Sequence, residues 1–223
     1  MAKPKIAPKP RAKKRAPARP APTPRGVSAR PAGAAHRAAP QLQTPIDTLT
    51  YARGKIRDVP DFPKPGILFK DITPLLADPR AFHIVLDALA EPFIGEHVDA
   101  IVGIESRGFI FGSALAARLN ASFVPVRKTG KLPAAVDRVA YDLEYGSATL
   151  EMHKQSIPEG AKVLVVDDLL ATGGTAVATA ELVRRQGGYV TAFVFVIELD
   201  YLGGRDRLVP VPVVSLLRYR AGE

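Results

Sequence analysis

Residues 163–176 read Val-Leu-Val-Val-Asp-Asp-Leu-Leu-Ala-Thr-Gly-Gly-Thr-Ala. An apolar run leads into two carboxylates, Asp167 and Asp168, and then into a loop of small and hydroxyl residues that opens a helical pattern. Successive backbone N–H groups at a helix N-terminus attract anions, so the stretch Ala171, Thr172, Gly173, Gly174 and Thr175 has the make-up of a phosphate cradle. Its glycines let the backbone come close, and its threonines add hydroxyl donors. The acids just before the loop would repel a phosphate and must serve another part of the ligand. Vicinal hydroxyls or a bridging Mg²⁺ suit them, and together with the loop they describe a ribose 5-phosphate. The chain contains neither Gly-x-x-x-x-Gly-Lys nor Gly-x-Gly-x-x-Gly, so a Walker loop and a dinucleotide fingerprint are both excluded.

A second anion site is predicted at Glu105-Ser106-Arg107-Gly108, which also follows an apolar run and precedes a helical pattern. Ser106 does not make this a hydrolase, because a nucleophile elbow is Gly-x-Ser-x-Gly and the spacing here is Gly103-x-x-Ser-x-Gly. Arg127, Lys128 and Lys131 lie within five positions, flanked by Gly130 and Pro133. Such a cluster is usually a solvated loop, but it could also bring mobile cations to an anionic leaving group, with the polar stretch 128–142 closing as a lid. The four histidines show no metal-ligand spacing.

These loops need a scaffold that brings strand ends together. Apolar runs at 99–104, 122–126, 163–166, 189–197 and 211–217 read as strands, and 108–119 and 175–185 as helices between them. Thr44-Pro45 is a helix start, with Ile46, Leu49, Ala52 and Ile56 at helical spacing. Continuous apolar strands alternating with helices imply an α/β protein with a mainly parallel sheet covered on both faces, and such sheets bind ligands at the carboxyl ends of their strands.

The charge is unevenly placed. Residues 1–44 hold eleven Lys or Arg, nine Pro, twelve Ala and no acid, which leaves 20 basic and 22 acidic residues for 45–223. The net charge of +9 therefore belongs to the tail and does not indicate a basic nucleic-acid-binding domain. Segment 1–44 has too little apolar surface to fold, so it is expected to be a disordered tail with at most weak, non-specific nucleic-acid binding, and 45–223 to be the single domain. With no Cys there is no disulfide, Cys-ligated zinc, iron–sulfur cluster or thiol nucleophile. No apolar run approaches membrane-spanning length, and the opening residues do not read as a secretory signal.

The 163–176 string closely resembles the phosphoribosyl pyrophosphate (PRPP) signature of type I phosphoribosyltransferases. Within that family the resemblance is to adenine phosphoribosyltransferases. Residues 57–74, Arg-Asp-Val-Pro-Asp-Phe-Pro-Lys-Pro-Gly-Ile-Leu-Phe-Lys-Asp-Ile-Thr-Pro, are similar to the base-binding segment, and Gly103–Phe109 to the pyrophosphate loop. Arg127–Pro133 and Leu143-Glu-Tyr-Gly146 are similar to the two ends of a mobile hood loop. The resemblance covers 45 to about 205 and implies the phosphoribosyltransferase fold, a cytoplasmic, homodimeric enzyme of purine salvage, and the reaction of adenine with PRPP to give AMP and pyrophosphate with Mg²⁺. It also implies a cis peptide at Glu105–Ser106. PRPP would be held by Ser106, Arg107, Gly108, Arg127, Lys128, Lys131, Tyr145, Asp167, Asp168 and Ala171–Thr175, with Mg²⁺ bound through PRPP near Asp167 or Asp168. Adenine would meet Leu68, Lys70 and Leu169, where many relatives have Arg in place of Lys70. Glu144, Arg107 and Asp168 would be the catalytic groups, Glu144 stabilising charge at C1 or handling the purine proton. Two alternatives stand beside this reading: a PRPP-sensing transcriptional regulator, for which 1–44 lacks a helix-turn-helix core, and a transferase for another purine.

Overall fold

A strand covered on both faces must be apolar on both, and Ala100–Ile104 is buried at all five positions. The computed structural model describes residues 45–142 and 147–223; the tail 1–44, Glu144 and Tyr145 lie outside the described residues. In chain order the elements are α1 (Pro45–Arg53), β1 (Arg57–Val59), β2 (Phe69–Asp71), α2 (Thr73–Ala77), α3 (Pro79–Ala90), β3 (Ala100–Ile104), α4 (Gly108–Leu119) and β4 (Ser122–Lys128). They continue with β5 (Val136–Asp142), β6 (Ser147–His153), β7 (Lys162–Leu170), α5 (Gly174–Arg185), β8 (Tyr189–Leu199) and β9 (Val213–Tyr219). Each strand and helix expected from the apolar runs is present, although α1 stops before Gly54 and leaves Ile56 beyond its end.

The main sheet has the order β5-β6-β4-β3-β7-β8-β9. Strands β4, β3, β7, β8 and β9 run parallel, while β6 pairs antiparallel with β4 and with β5. From β3 the chain crosses through α4 to β4 on one side, and later returns to place β7 on the other. This reversal of winding opens a crevice between the carboxyl ends of β3 and β7. One sheet face is covered by helices that bury Leu75, Val85, Leu89, Phe111 and Leu115, and the other by α5 with Leu182 and Val183. Val139, Leu150 and Met152 extend the second core under the β5–β6 hairpin.

The hairpin departs from the polar loop expected at 128–142. Residues 136–142 pair with 147–153 in an unbroken seven-residue register. Among the described side chains of β5 only Val139 is buried, so the apolar signal along this strand is weak. The strand is held instead by its ladder and by α5, where Arg185 Nη1 donates to the Arg138 carbonyl (2.9 Å) and Gln186 Nε2 to Asp137 (3.1 Å).

Candidate active site

Helices α4 and α5 both begin where a crevice-facing strand has just ended, at Arg107 and Gly173, and neither N-terminus is capped by a side chain. By contrast α3 carries its own cap, Asp78 accepting from the N–H groups of Arg80 and Ala81. Two helix N-termini without side-chain caps therefore lie beyond the carboxyl ends of the neighbouring strands β3 and β7, where an anionic ligand could take the capping role.

The loops are in contact. A Cβ on Gly108 would lie 2.7 Å from the Val166 carbonyl oxygen and 2.9 Å from Asp167 Oδ1, so only glycine lets α4 start this close to the end of β7. Arg107 Nε lies 3.1 Å from Asp168 Oδ2. The alignment is not that of a hydrogen bond, and Asp168 Oδ2, on a side chain that is 6% exposed, has no hydrogen-bond donor. A buried carboxylate oxygen left in this state is costly unless a ligand uses it. Next to it, Asp167 Oδ1 accepts from the Asp168 N–H (2.9 Å), and burial together with the Asp168 carboxylate pushes the Asp167 pKa well above the usual carboxylate range.

Past the acids, a cavity of about 80 Å³ is lined by Asp167, Ala171, Thr172, Gly173, Gly174 and Thr175, with Leu169 at its side. Gly173 adopts φ +79°, which turns the chain into α5. Thr175 Oγ1 donates to Tyr141 Oη (3.3 Å), so the hairpin reaches the cradle.

Among the predicted cations, Arg107 lies over the Phe69 ring, 5.1 Å from its centroid, which joins the pyrophosphate-type loop to the 57–74 segment. Arg127 is already engaged: Nε and Nη2 meet the Glu105 carboxylate (3.1 and 3.4 Å), and Nη1 donates to the Lys131 carbonyl (3.0 Å). Burial acts to raise the Glu105 pKa, but the Arg127 contact and the Lys128 N–H outweigh it and hold the group below its ordinary value. Lys128 and Lys131 are exposed, and their amines make no ion pair among the described residues. The peptide bond Glu105–Ser106 is cis, and Ser106 is exposed.

On the base side, Leu68 and Leu169 are half-buried. Lys70 is buried, its amine bonded to Asp58 (2.7 Å) and to the Glu223 carbonyl oxygen (2.8 Å) and lying 4.3 Å from the centre of the Tyr219 ring. The structure thus brings Ser106–Gly108, Asp167, Asp168 and 171–175 together and ties Arg127 to them through Glu105, while Lys70 braces β2 against the end of the chain. Sequence reasoning missed Glu105 as a clamp and Tyr141 as a cradle contact. Neither carries a local signal, since their partners lie 22 and 34 positions away.

Among known proteins, residues 75–206 match the phosphoribosyl transferase domain family model. The adenine phosphoribosyltransferase of Sorangium cellulosum is 70% identical over 180 residues, spanning 78% of this chain and 90% of that protein. The crystal structure of the Rhodothermus marinus adenine phosphoribosyltransferase superposes with a TM-score of 0.75 at 51% identity, covering 78% of this chain and 99% of its own. The Saccharomyces cerevisiae enzyme, solved with an iminoaltritol bisphosphate and adenine, gives 0.73 at 43% identity, covering 77% and 99%. With a crevice built from two uncapped helix N-termini and a buried acid pair, and with relatives this similar over nearly their full length, the chain belongs to the adenine phosphoribosyltransferase family.

Proposed function

We propose that the chain is an enzyme of purine salvage that transfers the 5-phosphoribosyl group of PRPP to adenine, giving AMP and pyrophosphate. In this substitution the bond from C1 of the ribose to the pyrophosphate oxygen breaks, a bond from C1 to the purine nitrogen forms, and the proton of that nitrogen is lost. Positive charge develops at C1 on the way, so the enzyme chiefly has to hold the two reactants in line and keep water out.

The observation that carries the reading is the 171–175 cradle, lined on one side by Asp167, next to Asp168 Oδ2, a buried acceptor without a donor that faces Arg107. The N–H groups of Ala171–Thr175 and the hydroxyls of Thr172 and Thr175 hold the 5-phosphate. Asp168 accepts from a ribose hydroxyl and fixes the sugar. Arg107, Lys128 and Lys131 stabilise the departing pyrophosphate, and Arg127 works from behind by bracing the Glu105 loop. Leu169 packs against the base, backbone near Leu68 reads its edge, and Lys70 supports that segment. Glu144, with Tyr145 beside it, handles the purine proton or the charge at C1.

The acid pair also fits Mg²⁺, because Asp168 Oδ2 has a free lone pair and Asp167 stands next to it. No cluster of three acidic or imidazole ligands exists among the described residues, so PRPP oxygens would complete the coordination. When bound, the ion would neutralise pyrophosphate charge. A homodimer in the cytoplasm belongs to the same reading. No described helix is long and apolar enough to cross a membrane.

The test is AMP formation from PRPP with adenine, hypoxanthine and guanine offered in parallel. Adenine alone should be consumed at a substantial rate, and equal use of hypoxanthine or guanine would overturn the base assignment.

A further inference from the structure

The phosphate cradle rests on a distant piece of chain. A short 3₁₀ turn, Gly204–Leu208, follows β8, and a Cβ on Gly204 would lie 2.1 Å from the Ala171 carbonyl oxygen and 3.0 Å from the Gly173 nitrogen. From the other side, a Cβ on Gly173 would lie 2.8 Å from the Gly204 carbonyl oxygen. Between them, Arg207 Nη1 donates to the Thr172 carbonyl (3.2 Å) across 35 positions of sequence. Three successive cradle residues thus sit on this turn, Ala171 and Gly173 with backbone against backbone and Thr172 through the Arg207 side chain.

The turn is fixed in its own right by Arg205. Its Nε and Nη2 grip the two oxygens of Glu198 (2.8 and 2.5 Å), Nη1 donates to the Val213 carbonyl (3.0 Å), and Nη2 also meets Ser215 Oγ (2.9 Å). Glu198 lies on β8 and is 2% exposed, and the Ser215 hydroxyl donates to it as well. Burial acts to raise the Glu198 pKa, but Arg205 and Ser215 outweigh it and keep the carboxylate charged. A buried ion pair is a poor means of adding stability, because apolar side chains of the same volume often do as well or better. What this pair supplies is direction. A bidentate fork has one geometry, and here it sets where the turn meets the cradle.

We propose that Glu198 is a positioning residue for the 5-phosphate subsite: by gripping Arg205 it seats the Gly204–Leu208 turn under the backbone of Ala171–Gly173, so that the cradle N–H groups are aimed before the phosphate arrives. The inference rests on the reading of 171–175 as the 5-phosphate site and adds a residue that does not touch the substrate.

Three variants of the full chain separate this role from a merely structural one. Glu198→Gln keeps the shape and removes the charge, Arg205→Lys keeps the charge and removes the fork, and Gly204→Ala leaves the pair intact and pushes the turn off the cradle. Each should raise KM for PRPP about tenfold while KM for adenine changes less than about twofold, because one subsite is disturbed and the other is not. Protection against thermal unfolding by ribose 5-phosphate should weaken in parallel. Folded variants with a wild-type KM for PRPP and wild-type ribose 5-phosphate protection would overturn the proposal, even with lowered thermal stability. If Glu198→Gln does not fold, the other two decide by the same readings. Absence of AMP formation by the unaltered enzyme would instead overturn the proposed reaction, and ribose 5-phosphate protection, which needs no turnover, would still judge the positioning role.

Discussion

Arg107 and Asp168 stand 3.1 Å apart, Nε to Oδ2, and join the start of α4 to strand β7 by one ion pair with no hydrogen bond in it. The pair is poised for exchange. Pyrophosphate offers Arg107 a better partner, and a ribose hydroxyl offers Asp168 the donor it lacks, so PRPP would replace one poor contact by two good ones.

Asp168→Asn should therefore lower kcat/KM for PRPP by about 100-fold while shifting the melting temperature by no more than about 3 °C, since the oxygen replaced accepts no hydrogen bond and its ion-pair partner Arg107 is partly exposed and can turn to water. Asp167→Asn should have the smaller kinetic effect, as its carboxyl already accepts from the Asp168 N–H. Steady-state kinetics and thermal melts of both variants check this; near wild-type kcat/KM in both would remove the acid pair from the site.

Gly108→Ala tests the contact between the loops. The added methyl would lie 2.7 Å from the Val166 carbonyl oxygen and 3.1 Å from Asp167 Cα, and although Asp167 Oδ1 at 2.9 Å could swing away, this strand backbone cannot. A loss of about 1–3 kcal/mol in unfolding free energy is expected from overpacking, together with a raised KM for PRPP. Denaturant titration and kinetics on the same preparation would detect both.

Acid stability should depend on Asp71, at the end of β2. Hydrogen bonds from the Thr73 hydroxyl and N–H, with Arg57, lower its pKa from 3.8 to about 2. A carboxylate whose folded pKa lies below its unfolded value stabilises the fold above the unfolded value and loses that contribution as pH falls through the folded one. Denaturant midpoints should decline between about pH 4 and 2, and Asp71→Asn should flatten that part of the profile. An unchanged slope in the variant would show that Asp71 does not contribute.

Deleting residues 1–44 should leave adenine turnover nearly unchanged, because every crevice residue lies at or beyond Leu68. The intact chain, with eleven basic residues there, should bind duplex nucleic acid weakly, and each phosphate neutralised should contribute about −0.9 to the slope of log K against log salt. Titrations of both forms at low and physiological salt compare them directly. Binding that survives truncation would place the polyanion site in the 45–223 domain.

Much of the frame was legible because its causes are local. Helix α4 spans the expected Gly108–Leu119, since an apolar stripe between a glycine start and Asn120, left-handed at φ +54°, marks both ends within the segment. The cradle was legible for the same reason: strand, acids, small loop and helix start are consecutive. Three features were settled only by contacts between segments far apart in the chain. Strand β5 owes its conformation to β6 and α5, so a stretch with one buried residue among its described side chains reads as a loop until its partners are in place. Arg127 and Lys70 read as ligand-facing cations, yet Glu105 takes up the first, and Asp58 with the Glu223 carbonyl takes up the second. The turn at Gly204 resembles any surface turn in sequence, and its role beneath Ala171–Gly173 exists only once β7 and β8 lie side by side. The sequence alone determined the order of strand, acids, small loop and helix start at 163–176. Tertiary structure decided which charged side chains are paired with one another, because a cation's partner is set by distance in space, and no local pattern records that distance.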